Sequence, residues 1–164
     1  MNLTEYQSII AKTAVYPQKV DRFGIAYTFL GVMDEMFELQ DKQELGASEK
    51  EIKKEKGDVI WYITAMAEEF KLNIEVLFVK SDIDSDDDRQ LFMRFPGLVT
   101  KFYRDSKEIP VETVSRFITI MWNMMMEDES DENINKILQM NYDKLIKRRE
   151  TNTLHGDGDN REEI

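Results

Sequence analysis

Four carboxylates in one stretch of the chain have the spacing to do chemistry. Glu35 and Glu38 lie three residues apart, as do Glu55 and Asp58, within LGVMDEMFELQDKQELGASEKEIKKEKGDVIWY at residues 30–62. On an α-helix that spacing puts both members of a pair on one face. Here the faces are flanked by Met33, Met36, Phe37, Val59, Ile60 and Trp61. A carboxylate removed from water without compensation is costly or takes up a proton, so four such acids facing one another demand cations between them. One Glu-x-x-Glu is commonplace on a solvated helix; two acidic pairs joined by a short segment are not. The chain has no cysteine and a single histidine, which excludes thiolate sites and argues against a histidine-built zinc site. Any metal is therefore held by oxygen. Mg²⁺ is the natural occupant, because it takes carboxylate oxygens and keeps waters for substrate phosphates, and Mn²⁺ is the expected substitute.

The elements that must position these acids are helices. Between the pairs, Gly46 ends one helix and Ser48 with Glu51 forms a capping box that starts another. An antiparallel hairpin brings both pairs to about the same level. The first helix of that hairpin is expected from Arg22 to Lys42 on the period of Phe23, Ala26, Tyr27, Leu30, Met33 and Phe37, the second from about Glu49 to Phe70. Gly31 inside the first costs about 1 kcal/mol relative to alanine, which suggests close packing or room for a ligand. Before them, Thr4 and Gln7 are read as the capping box of a short helix carrying Tyr6, Ile9 and Ile10 and stopped by Pro17. A short helical segment is expected over 73–80, and a last helix begins near Asp131 or Glu132.

With those residues in view, the chain resembles the MazG-type all-α nucleoside triphosphate pyrophosphohydrolases, whose signature is an ExxE helix followed by an ExxD helix. The opening LTEYQSIIAKTAVYP, Gly31, the run EKGDVIWY and the closing NYDKLIKRRETNTLHGDGDNRE look like bacterial and phage members, so the resemblance covers roughly residues 3–77 and 133–162. It implies an all-α antiparallel helical bundle and Mg²⁺-dependent hydrolysis of a nucleoside triphosphate, a dNTP above all, to monophosphate and pyrophosphate. Glu35, Glu38, Glu55 and Asp58 would be the catalytic metal ligands. Tyr62, one turn beyond Asp58, would stack on the base, with Lys12, Asn141, Lys144 and Arg148 near the nucleotide. The family commonly forms homodimers, and members with this ending fold the tail, which holds His155, over the phosphates.

Residues 96–138 read as a degenerate second copy of residues 30–77. Gly97 falls on Gly31, Trp122 on Trp61 and Ile137–Leu138 on Val76–Leu77, with a shorter connecting loop. In that register Lys101, Arg104, Arg116 and Thr119 stand where Glu35, Glu38, Glu55 and Asp58 stand in the first copy. One domain then divides into a metal-binding half (1–80), an acidic connector (81–90), a second half with a closing helix (91–150) and a mobile tail (151–164), a fused pseudo-dimer whose basic residues could meet the acid cluster. SDIDSDDDRQ alternates acids like a calcium loop, but Asp87 stands where the glycine is required and Met93 where the closing glutamate is. It is read as a solvated connector that also caps the following helix. Met121, Met124, Met125 and Met126 are read as core filler.

Composition bounds the remaining choices. No apolar run approaches the roughly 20 residues of a membrane span, and the first residues lack a basic segment followed by an apolar one, so a cytoplasmic location is expected. A net charge of −11 opposes binding to a nucleic-acid polymer but not to a nucleotide, because metal ions invert the local field. No GxxxxGK[ST] loop occurs. Two alternatives stand beside the main reading: a related dUTP or phosphoribosyl-ATP pyrophosphohydrolase, and a non-catalytic acidic helical protein that binds a partner's basic surface.

Overall fold

The computed structural model describes residues 1–14, 16, 23–81, 86–151 and 153. Those residues form seven helices and no strand: α1 (Leu3–Thr13), α2 (Phe23–Glu44), α3 (Glu49–Glu69), α4 (Ile74–Leu77), α5 (Asp86–Asp105), α6 (Val111–Met126) and α7 (Asp131–Glu150). The all-α class expected from the periodicity is what the chain adopts. None of the described helices is long and apolar enough to cross a membrane.

The hairpin that carries the acids closes as its sequence dictates. Gly46 takes a positive φ of 68°, which a side chain would resist, and Ser48 and Glu51 cap one another at the start of α3. Its two helices run antiparallel, since Lys42 meets Glu55, Gly31 lies against Tyr62 and Gly24 against Glu69. A Cβ at Gly31 would overlap the Tyr62 ring, so the glycine that weakens α2 is what lets α3 approach. The buried faces of the hairpin meet the rest of the core through Val32, Val59, Ile60, Ile63 and Met66, all 0% exposed.

Helix α1 is capped differently from the sequence reading. Asn2, not Thr4, is the N-cap and shares the box with Glu5. A Thr4 side chain bonds Glu75 instead. Gln7 donates to Glu68 at 2.6 Å and to the Leu72 carbonyl at 2.7 Å, and accepts from the Ile74 N–H at 3.1 Å, fixing α1 to the start of α4. Pro17 lies outside the described residues, and α1 ends before it, at Thr13.

Two expectations for the second half are corrected. Residues 86–90 form the first turns of α5, with Asp86, Asp87 and Asp88 at its start where capping acids are expected, but Asp88 is only 4% exposed and not solvated. It is buried because Arg116 of α6 grips both of its oxygens, at 2.6 and 2.5 Å; residues 82–85 lie outside the described residues. The basic residues aligned with the acids do not gather at them either. Arg116 is committed to Asp88, Arg104 pairs with its neighbour Asp105 at 2.8 Å, and Lys101 is exposed. Nor does Gly97 match Gly31 physically, since a Cβ there would meet nothing within 4 Å. Helix α5 packs on α6 through Phe95, stacked on Phe117 with ring centres 3.8 Å apart. Met121, Met125 and Met126 fill the core as expected, whereas Met124 is 41% exposed. The expected start of the last helix matches α7, capped by Ser130. The tail lies outside the described residues beyond Thr151 and Thr153, and His155 with it.

Candidate metal centre and adjoining groove

Glu35 of α2 and Glu55 and Asp58 of α3 each bring a carboxylate oxygen to within 4.8 Å of the others. The i, i+3 step on α3 aims Glu55 and Asp58 at α2, and the hairpin sets Glu35 opposite them. Glu38 is the exception among the four. It is exposed and outside this group, because three residues of helix turn it some 60° from Glu35 and the hairpin covers only one of the two directions. Its charge still reaches Glu35.

The chain supplies its own cations to this cluster. Lys42 pairs with Glu55, which is 1% exposed. Lys144 of α7 reaches both oxygens of Asp58 at 2.5 Å. Burial first, then the charges of Asp58, Glu38 and Glu55, raise the Glu35 carboxyl to about 8, against a smaller opposing pull from Lys144. The Glu35 carboxyl therefore keeps its proton at neutral pH, while Lys42 and Lys144 occupy oxygens of Glu55 and Asp58 that a divalent ion would use.

Asn141 completes the Asp58 environment. Its amide donates to Asp58 Oδ1 at 2.9 Å, and its own oxygen accepts the Tyr6 hydroxyl at 2.8 Å. Gly57 eases the approach, since a Cβ there would lie 3.1 Å from Asn141 Cβ and crowd it. Beside the acids runs a groove of about 520 Å³ along α2, walled by Phe23, Tyr27, Leu30, Phe37 and Tyr62. Tyr62 joins the two features. Its ring lies 5.9 Å from that of Tyr27, while burial first, then Tyr27, Glu35 and Asp58, push its phenol up from its ordinary range.

Of the residues expected near a nucleotide, Tyr62, Asn141 and Lys144 converge on this region. Arg148 lies one turn beyond Lys144 and is buried. Lys12 does not join them; it is exposed in a different groove, with Met1, Thr4, Ser8 and Tyr142. Lys42, Tyr6 and Gly57 were missed. The sequence holds a signal for Lys42, which stands seven residues after Glu35 and so on the same stripe of α2. Tyr6 reads only as an apolar position. No protein-family model, curated protein or solved structure matches the chain.

Proposed function

We propose that this chain is a MazG-type pyrophosphohydrolase that adds water across the α–β anhydride of a nucleoside triphosphate, a dNTP above all, releasing monophosphate and pyrophosphate. The observation that carries the reading is that one hairpin holds both features: three carboxylates within 4.8 Å of one another and an aromatic groove whose wall includes Tyr62, one turn beyond Asp58 on α3. Hard oxygen donors suit Mg²⁺, with Mn²⁺ as substitute. Glu35, Glu55 and Asp58 would hold the ion, with Glu38 at the rim. Bound there, the ion supplies positive charge that neutralises phosphate oxygens and favours attack by water. Tyr62 and Tyr27 offer faces on which a base stacks, and Asn141 keeps Asp58 aimed at the cluster. Lys144, once released from Asp58, is a cation for the polyphosphate, with Arg148 behind it. The exposed Glu38 carboxylate is the acceptor available for a proton from water.

The same reading makes the helices a MazG-like bundle, in which α5 and α6 repeat the order of α2 and α3 as the remnant of a second copy. It also makes the chain a cytoplasmic homodimer. Phe23, Leu30 and Phe37, which wall the groove, recur every seven residues on α2 and are 37, 65 and 61% exposed, so a second copy set against this stripe would form the groove's outer wall.

Pyrophosphate release from a panel of NTPs and dNTPs tests the activity. Turnover that requires Mg²⁺ and disappears in Glu55→Gln supports it; no release from any substrate contradicts it. Preference for dUTP or phosphoribosyl-ATP alone would select those relatives. A second reading is favoured by the lysine pairing itself: Lys42 and Lys144 already balance Glu55 and Asp58, as a purely structural network in an acidic interaction protein would. Such a protein binds no divalent ion at these residues.

A further inference from the structure

We infer that Tyr6 is a positioning residue for Asp58, acting through Asn141, so that a hydroxyl on α1 fixes how a metal ligand on α3 is presented. This deepens the reading above and depends on it. An asparagine amide has the same shape either way round, and only its nitrogen can donate to a carboxylate. Turned over, Asn141 would set its oxygen against Asp58, acceptor against acceptor. The Asp58 carboxylate, which only accepts, forbids that orientation, and Tyr6 anchors the amide in the other one. Tyr6 is 0% exposed, and its hydroxyl donates to Asn141 Oδ1 at 2.8 Å, which leaves Nδ2 facing Asp58 Oδ1 at 2.9 Å. All donors then point one way, Tyr6 to Asn141 to Asp58, and the negative charge at the end polarises the whole chain of bonds. Burial and the Asp58 charge both push the Tyr6 phenol above its ordinary range, so it remains a donor at any working pH.

The two partners of Asp58 differ in permanence. Lys144 ends a long, flexible side chain and is 17% exposed, whereas Asn141 is 4% exposed, tied to Tyr6 and seated against Gly57. Exchange of lysine for an ion leaves the amide in place. Hydrogen-bond partners of metal ligands typically contribute about 10–100-fold to metal affinity.

Calorimetric titration of Mn²⁺ into the full chain tests the inference without reference to turnover. Tyr6→Phe keeps the ring and removes the hydroxyl, and its Mn²⁺ dissociation constant is expected to rise about tenfold or more. Gly57→Ala leaves Tyr6 intact, improves helix propensity and crowds Asn141; it is expected to weaken Mn²⁺ in the same direction through Asn141 alone. The double variant Tyr6→Phe/Asn141→Ala should bind no more weakly than Asn141→Ala alone, because both act on one chain of bonds. Unchanged affinity in a folded Tyr6→Phe overturns the positioning role while the metal site stands; should that variant not fold, unchanged affinity in Asn141→Ala does the same, since Tyr6 acts on Asp58 only through Asn141. No binding by the unaltered chain overturns both.

Discussion

Replacing Lys42 by methionine keeps the aliphatic length and removes the charge that faces Glu55. With Glu55 only 1% exposed, the variant must either hold a buried carboxylate without this cation or protonate it. Removing one partner of a buried pair costs about 3–5 kcal/mol. Protonating an ordinary glutamate at pH 7 costs about 3–4 kcal/mol, which sets a ceiling. Lys42 also keeps 31% of its side chain in water, so screening favours the low end, about 3 kcal/mol in chelator. For a domain of this size each kcal/mol moves the midpoint by about 2–4 °C, so melting should fall by about 6–12 °C. Magnesium changes the comparison. An ion among Glu35, Glu55 and Asp58 replaces the lysine as counter-charge, and at saturating Mg²⁺ most of the deficit should vanish. The metal-free deficit should also shrink at pH 5, where a carboxyl protonates more cheaply. Thermal melts followed by circular dichroism, with chelator and with Mg²⁺, give the four numbers needed. An equal loss in both conditions would refute the reasoning, for Lys42 would then be a permanent partner that no ion displaces.

Glu35 sets a second, pH-dependent expectation. Its carboxyl is raised to about 8 in the folded chain and is ordinary when unfolded, so between about 4.5 and 8 the native state holds a proton the unfolded state has lost. Metal-free stability should therefore fall as pH rises through that window and level off above it, by a few kcal/mol at most; melts in chelator should show the slope flattened in Glu35→Gln relative to the unaltered chain. In Gly31→Ala the new methyl displaces the Tyr62 ring. A gain of about 1 kcal/mol in helix propensity partly offsets about 1–3 kcal/mol of overpacking, so nucleotide affinity should drop more clearly than melting temperature, read by titration beside a thermal melt. Asp88→Asn loosens the α5–α6 pair with Arg116 and should cost about 1–3 kcal/mol while pyrophosphate release per folded molecule stays constant, since Arg116 is engaged with Asp88 and not with the acid cluster.

The residues of the hairpin were legible because local rules decide them. Ser48 and Glu51 cap α3 and Gly46 ends the α2–α3 link, and an i, i+3 step on an apolar face brought Glu55 and Asp58 to Glu35. What the rules could not supply was reach. Periodicity assigns a face to Lys42 and Lys144 but not the partner each long side chain finds, so their pairing with Glu55 and Asp58 was not legible. Glu38 stands outside the three-acid cluster for a related reason, since a shared face is some 60° wide and only Glu35 falls in the part that α3 covers. Asp88 was read as solvated because nothing local reveals that Arg116, 28 residues away, closes on it. Tyr6 was hidden by its own amphipathic character: a tyrosine on an apolar stripe looks like packing until the partner of its hydroxyl is known.

The most direct test is to soak crystals in Mn²⁺ and collect anomalous diffraction at a wavelength where manganese scatters strongly. A peak bounded by carboxylate oxygens of Glu35, Glu55 and Asp58, with Lys42 and Lys144 drawn away from them, is the expected result. No peak at these acids, with both lysines still on their partners at millimolar Mn²⁺, would contradict the account and leave a salt-bridged helical bundle.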